Sequence, residues 1–182
     1  ELFGDAHPLV AEDLINLGAI QYERGRFVEA EGFYRQALEI IRSWYGKDSF
    51  RTASNLTMLG RSLYQEKRFD EANALLSEAL AIQEAAVGPD HPAVANRLNN
   101  LATILYDLGQ LAEARPLAER ALAIDEAAYG PDHPAVAIRL SNLAQILQDL
   151  GLLAEARPLA ERALAITETA YGPDHPTIAI LR

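Results

Sequence analysis

Gly88-Pro89-Asp90-His91-Pro92 recurs as Gly130-Pro131-Asp132-His133-Pro134 and as Gly172-Pro173-Asp174-His175-Pro176, each copy 42 residues after the last. Weaker copies extend the register upstream, at Gly46-Lys47-Asp48-Ser49-Phe50 and Gly4-Asp5-Ala6-His7-Pro8. A fixed period of this length marks a stack of similar supersecondary units rather than one closed globule. It divides the 182 residues into four units, 7–48, 49–90, 91–132 and 133–174, read together as one repeat array over 1–182. The lead-in 1–6 reads as the end of a preceding repeat and 175–182 as the opening of a truncated fifth, so a longer parent protein is expected.

Within the unit 91–132, Ala95, Leu98, Leu101, Ala102 and Leu105 fall at helical spacing and predict a first helix over 92–108 with one buried stripe. Pro92 suits the first helical position, where its missing N–H would be unpaired anyway. His91 would then be the N-cap, and Ser49 stands at the same place in the second unit. Gly109 ends the helix. A second helix is expected from about Leu111 to Tyr129, burying Ala114, Leu117, Ala121, Leu122 and Ile124 and stopped by Gly130-Pro131. Pro116 predicts a slight kink or a late start. Neither helix can bury its stripe alone, so each pair must stack on the next.

The order Leu-x-x-Leu-Gly/Ala, then Gly, then Ala, then Ala-Leu repeats through the chain. In the first unit it is Leu14, Leu17, Gly18, Gly25, Ala30, Tyr34, Ala37 and Leu38. In the second it is Leu56, Leu59, Gly60, Ala72, Leu76, Ala79 and Leu80, with Lys67 where the turn glycine belongs. Leu98-Asn99-Asn100-Leu101-Ala102 and Arg120-Ala121-Leu122-Ala123-Ile124 complete the pattern, which resembles the tetratricopeptide repeat in its 42-residue, kinesin-light-chain-like form. The resemblance implies an all-α fold, a right-handed α-solenoid of stacked antiparallel helix pairs. It also implies that the first helices line a concave groove gripping peptides or partner helices. Cargo adaptors, chaperone co-factors and sensor arms of signalling ATPases share such folds, so the fold does not choose among them.

The third and fourth units match at 35 of 42 positions. The differences are Asn96/Ile138, Asn99/Ser141, Thr103/Gln145, Tyr106/Gln148, Gln110/Leu152, Asp125/Thr167 and Ala127/Thr169. Those at 96, 99, 103 and 106 advance by three, four and three residues, forming one stripe along the first helix, offset from the buried one. By the resemblance this stripe faces the groove, and its divergence would let each unit read a different part of one ligand. Chance after recent duplication and compensation for repeat packing are the other two readings. Carried back, the stripe is Ser54, Thr57, Arg61 and Tyr64 in the second unit and Glu12, Ile15, Ala19 and Tyr22 in the first. Amides offer a donor and an acceptor together and suit a peptide backbone of any sequence. Tyr22, Tyr64 and Tyr106 either pack on ligand side chains or seal adjacent first helices. Asn16, Asn100 and Asn142 share one register position, and in related clamps for acidic chain ends an Asn there works with nearby Lys or Arg. Only Arg61, Arg97 and Arg139 are available, so hydrogen bonding between helices is the favoured role for these amides.

Composition narrows the function classes. The net charge is −10, spread evenly over the units, and would repel a nucleic-acid backbone or an anionic membrane surface. The absence of cysteine removes disulfides, thiolate catalysis and cysteine-bound zinc, and fits a reducing compartment; a cytoplasmic location is the expectation. No apolar run approaches the roughly 20 residues that span a bilayer. His7, His91, His133 and His175 each occupy an inter-repeat turn, and stacked helices roughly 10 Å apart cannot share an ion bound at about 2 Å. A capping role is expected for them. Asp125-Glu126 reads as a solvated helix face, and Trp44 either packs on a neighbouring helix end or meets a partner. No nucleotide-binding glycine loop or catalytic constellation is present, so no catalysis, cofactor or metal is expected. The leading expectation is a non-enzymatic protein-interaction scaffold that takes a peptide or partner helix on the stripe residues. The alternatives are a regulatory arm of a larger signalling ATPase or protease, and self-association through exposed repeat ends.

Overall fold

The computed structural model describes residues 7–172. Those residues form eight helices and no strand: α1 (Pro8–Glu23), α2 (Phe27–Tyr45), α3 (Phe50–Gln65), α4 (Phe69–Val87), α5 (Pro92–Asp107), α6 (Leu111–Tyr129), α7 (Pro134–Asp149) and α8 (Leu153–Tyr171). The fold is an all-α helical-repeat solenoid, and every boundary recurs at the 42-residue period. The chain packs as two compact units, Glu1–Pro89 and Asp90–Arg182.

Local chemistry sets the ends of the first helices. The Nδ1 atoms of His7, His91 and His133 accept from the backbone N–H groups of Leu9, Ala93 and Ala135 at 3.2, 3.1 and 3.1 Å. Ser49 does the same for Thr52 at 3.1 Å. The three described histidines are therefore N-caps, ahead of a proline in the first turn. His175 lies outside the described residues. Trp44 meets the His7 ring edge-on, with centroids 5.6 Å apart, and remains 56 % exposed.

The turn between paired helices needs a left-handed residue to satisfy the last carbonyls. In the second unit Lys67 takes that place at φ 60°, the one non-glycine residue with positive φ among the described residues. Its N–H reaches the Tyr64 carbonyl and that of Arg68 reaches the Leu63 carbonyl, both at 2.9 Å. The second helices stop on a glycine such as Gly88, whose φ 88° and ψ 157° are open only to glycine. α6 runs unbroken from Leu111 through Pro116, so the late start does not occur.

In the first unit α1 packs on α2, α2 on α3 and α3 on α4; in the second α5 packs on α6, α6 on α7 and α7 on α8. The core is aliphatic, with Leu56, Leu59, Leu63, Leu98, Val136 and Leu140 fully buried, each contributing about 1.5–3 kcal/mol of burial. On α6 the buried face includes Ala118, while Leu117 is only partly buried. Close helix approach is size-matched: a Cβ on Gly18 would lie 2.6 Å from the buried Tyr34 ring, and one on Gly60 would lie 3.0 Å from Leu76. The equivalent positions in the later units pair alanine with alanine, Ala102 with Ala118 and Ala144 with Ala160.

Candidate peptide-binding face

The caps and turns fix the roll of each first helix, and this decides which side chains the stripe presents. In the second compact unit, α5 and α7 bring Thr103, Tyr106, Asn142 and Gln145 together around a cavity of about 200 Å³, with Asp107 and Ile146. The Tyr106 hydroxyl donates to the Asp149 carboxylate one repeat on, which holds the phenol above its ordinary pKa. Gln145 Nε2 approaches the same carboxylate at 3.3 Å. Asn142 Nδ2 donates to Asn99 Oδ1 at 2.7 Å, while Thr103 and Ser141 return their hydroxyls to the Asn99 and Ala137 carbonyls of their own helices. Ile138 is 57 % exposed, Gln145 and Gln148 are exposed, and Asn100 is partly buried.

A matching notch lies in the first compact unit, 84 residues earlier, where Ala19, Tyr22, Glu23, Met58 and Arg61 surround about 120 Å³ with the edge of Tyr34. The Arg61 guanidinium sits 5.0 Å from the Tyr22 ring centroid and donates to its hydroxyl at 3.5 Å. Tyr34 titrates above its usual range because it is buried, with the Arg61 charge pulling the other way. Tyr22 rests on Phe27 and Tyr64 on Phe69, at centroid distances of 5.3 and 5.5 Å. Thr57 donates to the Ala53 carbonyl, and Ser54 is partly buried beside a third cavity. Tyr22 and Tyr106 are thus bonded to the adjacent first helix while also walling a notch.

One sequence reading needs correction here. Asp125 is not on a solvated face: it is 1 % exposed, and its carboxylate accepts from Arg139 Nε at 2.8 Å. Glu126, its neighbour, pairs with Arg162. The same Arg139 donates through Nη2 to Asn96 Oδ1, so two of the seven differences between the near-identical units belong to one latch, buried at Asp125 and open at Asn96. Where the fourth unit has Ile138 and Thr167 at these places, the sequence carries Leu181 at the next arginine position. At that junction all three residues differ, whereas one repeat before Arg139 the arginine is kept as Arg97 with Gln83 and Ser54 at the other two places. Arg97, the equivalent of Arg139, is also buried, and burial lowers its pKa. Of the three arginines considered for an anion clamp, Arg97 and Arg139 are therefore inside the protein. The available signal was their position on the apolar arc, one residue before Leu98 and Leu140.

The sequence profile of the tetratricopeptide repeat matches residues 1–43, 14–85, 51–127, 93–168 and 138–182. No curated protein sequence matches significantly. Among solved structures, a kinesin light chain protein of Podosopora anserina with nearly identical TPR-like repeats is 24 % identical at TM-score 0.82, over 96 % of this chain and 83 % of that one. BtubC (BKLC) from P. vanneervenii is 26 % identical at TM-score 0.84, over 93 % and 68 %. Aspartyl phosphate phosphatase F from Bacillus subtilis is 20 % identical at TM-score 0.77, over 90 % of this chain and 41 % of that one.

Proposed function

Because this chain belongs to the tetratricopeptide-repeat family, we propose that it is a protein-interaction scaffold whose first-helix stripe binds an extended peptide or a partner helix. In this reading it performs no chemistry itself. The observation that carries the reading is the recurring notch. Each copy keeps a tyrosine and a carboxylate, Tyr22 with Glu23 and Tyr106 with Asp107, while the other walls change from Ala19, Met58 and Arg61 to Thr103, Asn142 and Gln145. A constant frame with variable lining suits each compact unit taking a ligand side chain of its own chemistry. Tyr, Arg and carboxamide side chains supply rigid area and adaptable hydrogen bonds at such surfaces.

Peptides selected from a random display library on the full chain test this. Gln145→Ala with Gln148→Ala removes exposed groups that do not hold the repeats together, and it should weaken the selected peptides about tenfold with helicity unchanged. Unchanged affinity would show that the ligand lies elsewhere. A second reading, self-association, has its own observation. Leu17 is 43 % exposed, whereas its equivalents Leu59, Leu101 and Leu143 are 0, 6 and 4 % exposed, and Leu9 and Ile20 are exposed on the same helix. Light scattering on Leu17→Glu with Ile20→Lys distinguishes it: a native oligomer would dissociate.

A further inference from the structure

The notch between α5 and α7 is walled by polar groups whose hydrogens are already committed inside the protein. A hydroxyl has one hydrogen and two lone pairs. The Thr103 hydroxyl donates to the Asn99 carbonyl at 3.0 Å, and the Tyr106 hydroxyl donates to the Asp149 carboxylate. Both oxygens can then only accept, and both residues wall the cavity of about 200 Å³. Asn142 commits Nδ2 to Asn99 Oδ1 at 2.7 Å, and Gln145 turns Nε2 to Asp149 at 3.3 Å. Asp107, exposed at the rim, is an acceptor only. Charge runs the same way: α5 and α7 carry no lysine, and their two arginines, Arg97 and Arg139, are buried. The notch of the first compact unit differs in this respect, because Arg61 stands there at the place of Thr103.

We propose that this notch is a subsite for a basic side chain, lysine or arginine, of a bound peptide, which rests on the reading of the first-helix stripe as the peptide groove. An ammonium and a guanidinium carry donors and no acceptor, so either answers a wall that mainly accepts. A carboxylate guest would set lone pairs against lone pairs beside Asp107. A carboxamide would bring an oxygen that Thr103 and Tyr106 cannot serve, since their hydrogens are held by Asn99 and Asp149. A hydroxyl would supply one donor and no charge. An aliphatic side chain would cover the same oxygens without a donor, at the cost of their hydration. Ala102 and Ile146 are buried in the wall and give a methylene stem its apolar surface while the charged head stays at the rim. In the first notch Arg61, 5.0 Å from the Tyr22 ring centroid, already supplies the cation, so the preference belongs to the second compact unit.

The test titrates the isotope-labelled full chain at low salt with N-acetyl-lysine-N′-methylamide and with the blocked arginine, glutamine, glutamate and norleucine analogues. The readouts are the Thr103 and Ile146 methyl resonances and the Asn142 and Gln145 side-chain amides. The basic probes should shift them saturably and bind about tenfold tighter than glutamine or norleucine, the value of one charge-assisted hydrogen bond. Asp107→Asn should weaken the basic probes about threefold, the value of an exposed ion pair, and leave norleucine unchanged. Thr103→Arg, which installs the residue the chain carries at 61, should abolish their binding; should that variant not fold, Asp107→Asn decides. Glutamine or norleucine equal to the basic probes, or a basic-probe affinity that either folded variant leaves unchanged, overturns the subsite. Shifts spread evenly over the carboxylates of α6 and α8 overturn it too, as unspecific attraction to a chain of net charge −10. Display-selected peptides that map to the stripe, yet carry no basic residue and ignore Asp107→Asn, would leave the groove reading standing while this one falls. Saturable basic-probe binding at the notch with no peptide selected would do the reverse.

Discussion

Replacing Asp125 with alanine strands a guanidinium inside the repeat stack. The Arg139 and Asp125 side chains are 8 and 2 % exposed and meet at 2.8 Å, so water neither screens the pair nor replaces a lost partner. With the carboxylate gone, Arg139 keeps only Asn96, and removing one member of such a buried pair costs about 3–5 kcal/mol. At about 2–4 °C per kcal/mol for a chain of this size, the midpoint should fall by roughly 6–20 °C. Replacing the whole latch differs. Asn96→Ile with Asp125→Thr and Arg139→Leu installs the residues the chain itself carries at 138, 167 and 181. Charge and desolvation leave together, so that variant should lie within about 1.5 kcal/mol of wild type. Urea melts followed by circular dichroism give the comparison, and amide exchange in α5 to α7 localises it, because repeat arrays need not unfold in two states. A cost below about 1 kcal/mol for Asp125→Ala, the value of a surface pair, or a triple variant as unstable as the single one, would show that burial does not set the worth of this pair.

Four further outcomes follow from other parts of the chain. Gly18→Ala should destabilise by about 1–3 kcal/mol in the same melts, because its Cβ would lie 2.6 Å from the buried Tyr34 ring. Lys67→Gly should stabilise by about 0.5–1 kcal/mol, since a side chain at φ 60° is strained, and an unchanged or lower midpoint would contradict this. His91→Ala should cost about 0.5–2 kcal/mol and His91→Ser much less, since serine caps the equivalent helix at Ser49. Tyr106 should titrate above a free phenol in ultraviolet difference spectra, and Asp149→Asn should bring it down. Because the folded pKa is raised, the neutral phenol's contribution is complete below the unfolded value near 10.0 and is lost as pH rises through the folded one.

The helix ends were legible because they depend on local chemistry. Proline and glycine positions, with His91 or Ser49 before them, set the starts and stops within about a residue. Even the odd Lys67 could be placed, since its neighbours fix the left-handed turn around it. The stripe's membership was also legible from periodicity alone. Its meaning was not, because a difference between two units has the same appearance whether a ligand or a neighbouring repeat reads it. Asn96 shows this: it lies on the outward stripe, yet its amide is tied to Arg139 of the following unit. Asp125 was misread for the same reason, since its partner stands 14 residues away on the next helix and adjacency to Glu126 carried the wrong signal.

Shift mapping of a display-selected peptide on the labelled full chain decides whether the first-helix stripe holds the ligand. The largest perturbations should fall at Tyr22 and Arg61 or at Thr103, Tyr106, Gln145 and Gln148, with the ion pairs Arg115–Glu119 and Arg157–Glu161 of α6 and α8 silent. Perturbations centred on those pairs, with the stripe unchanged, would contradict it.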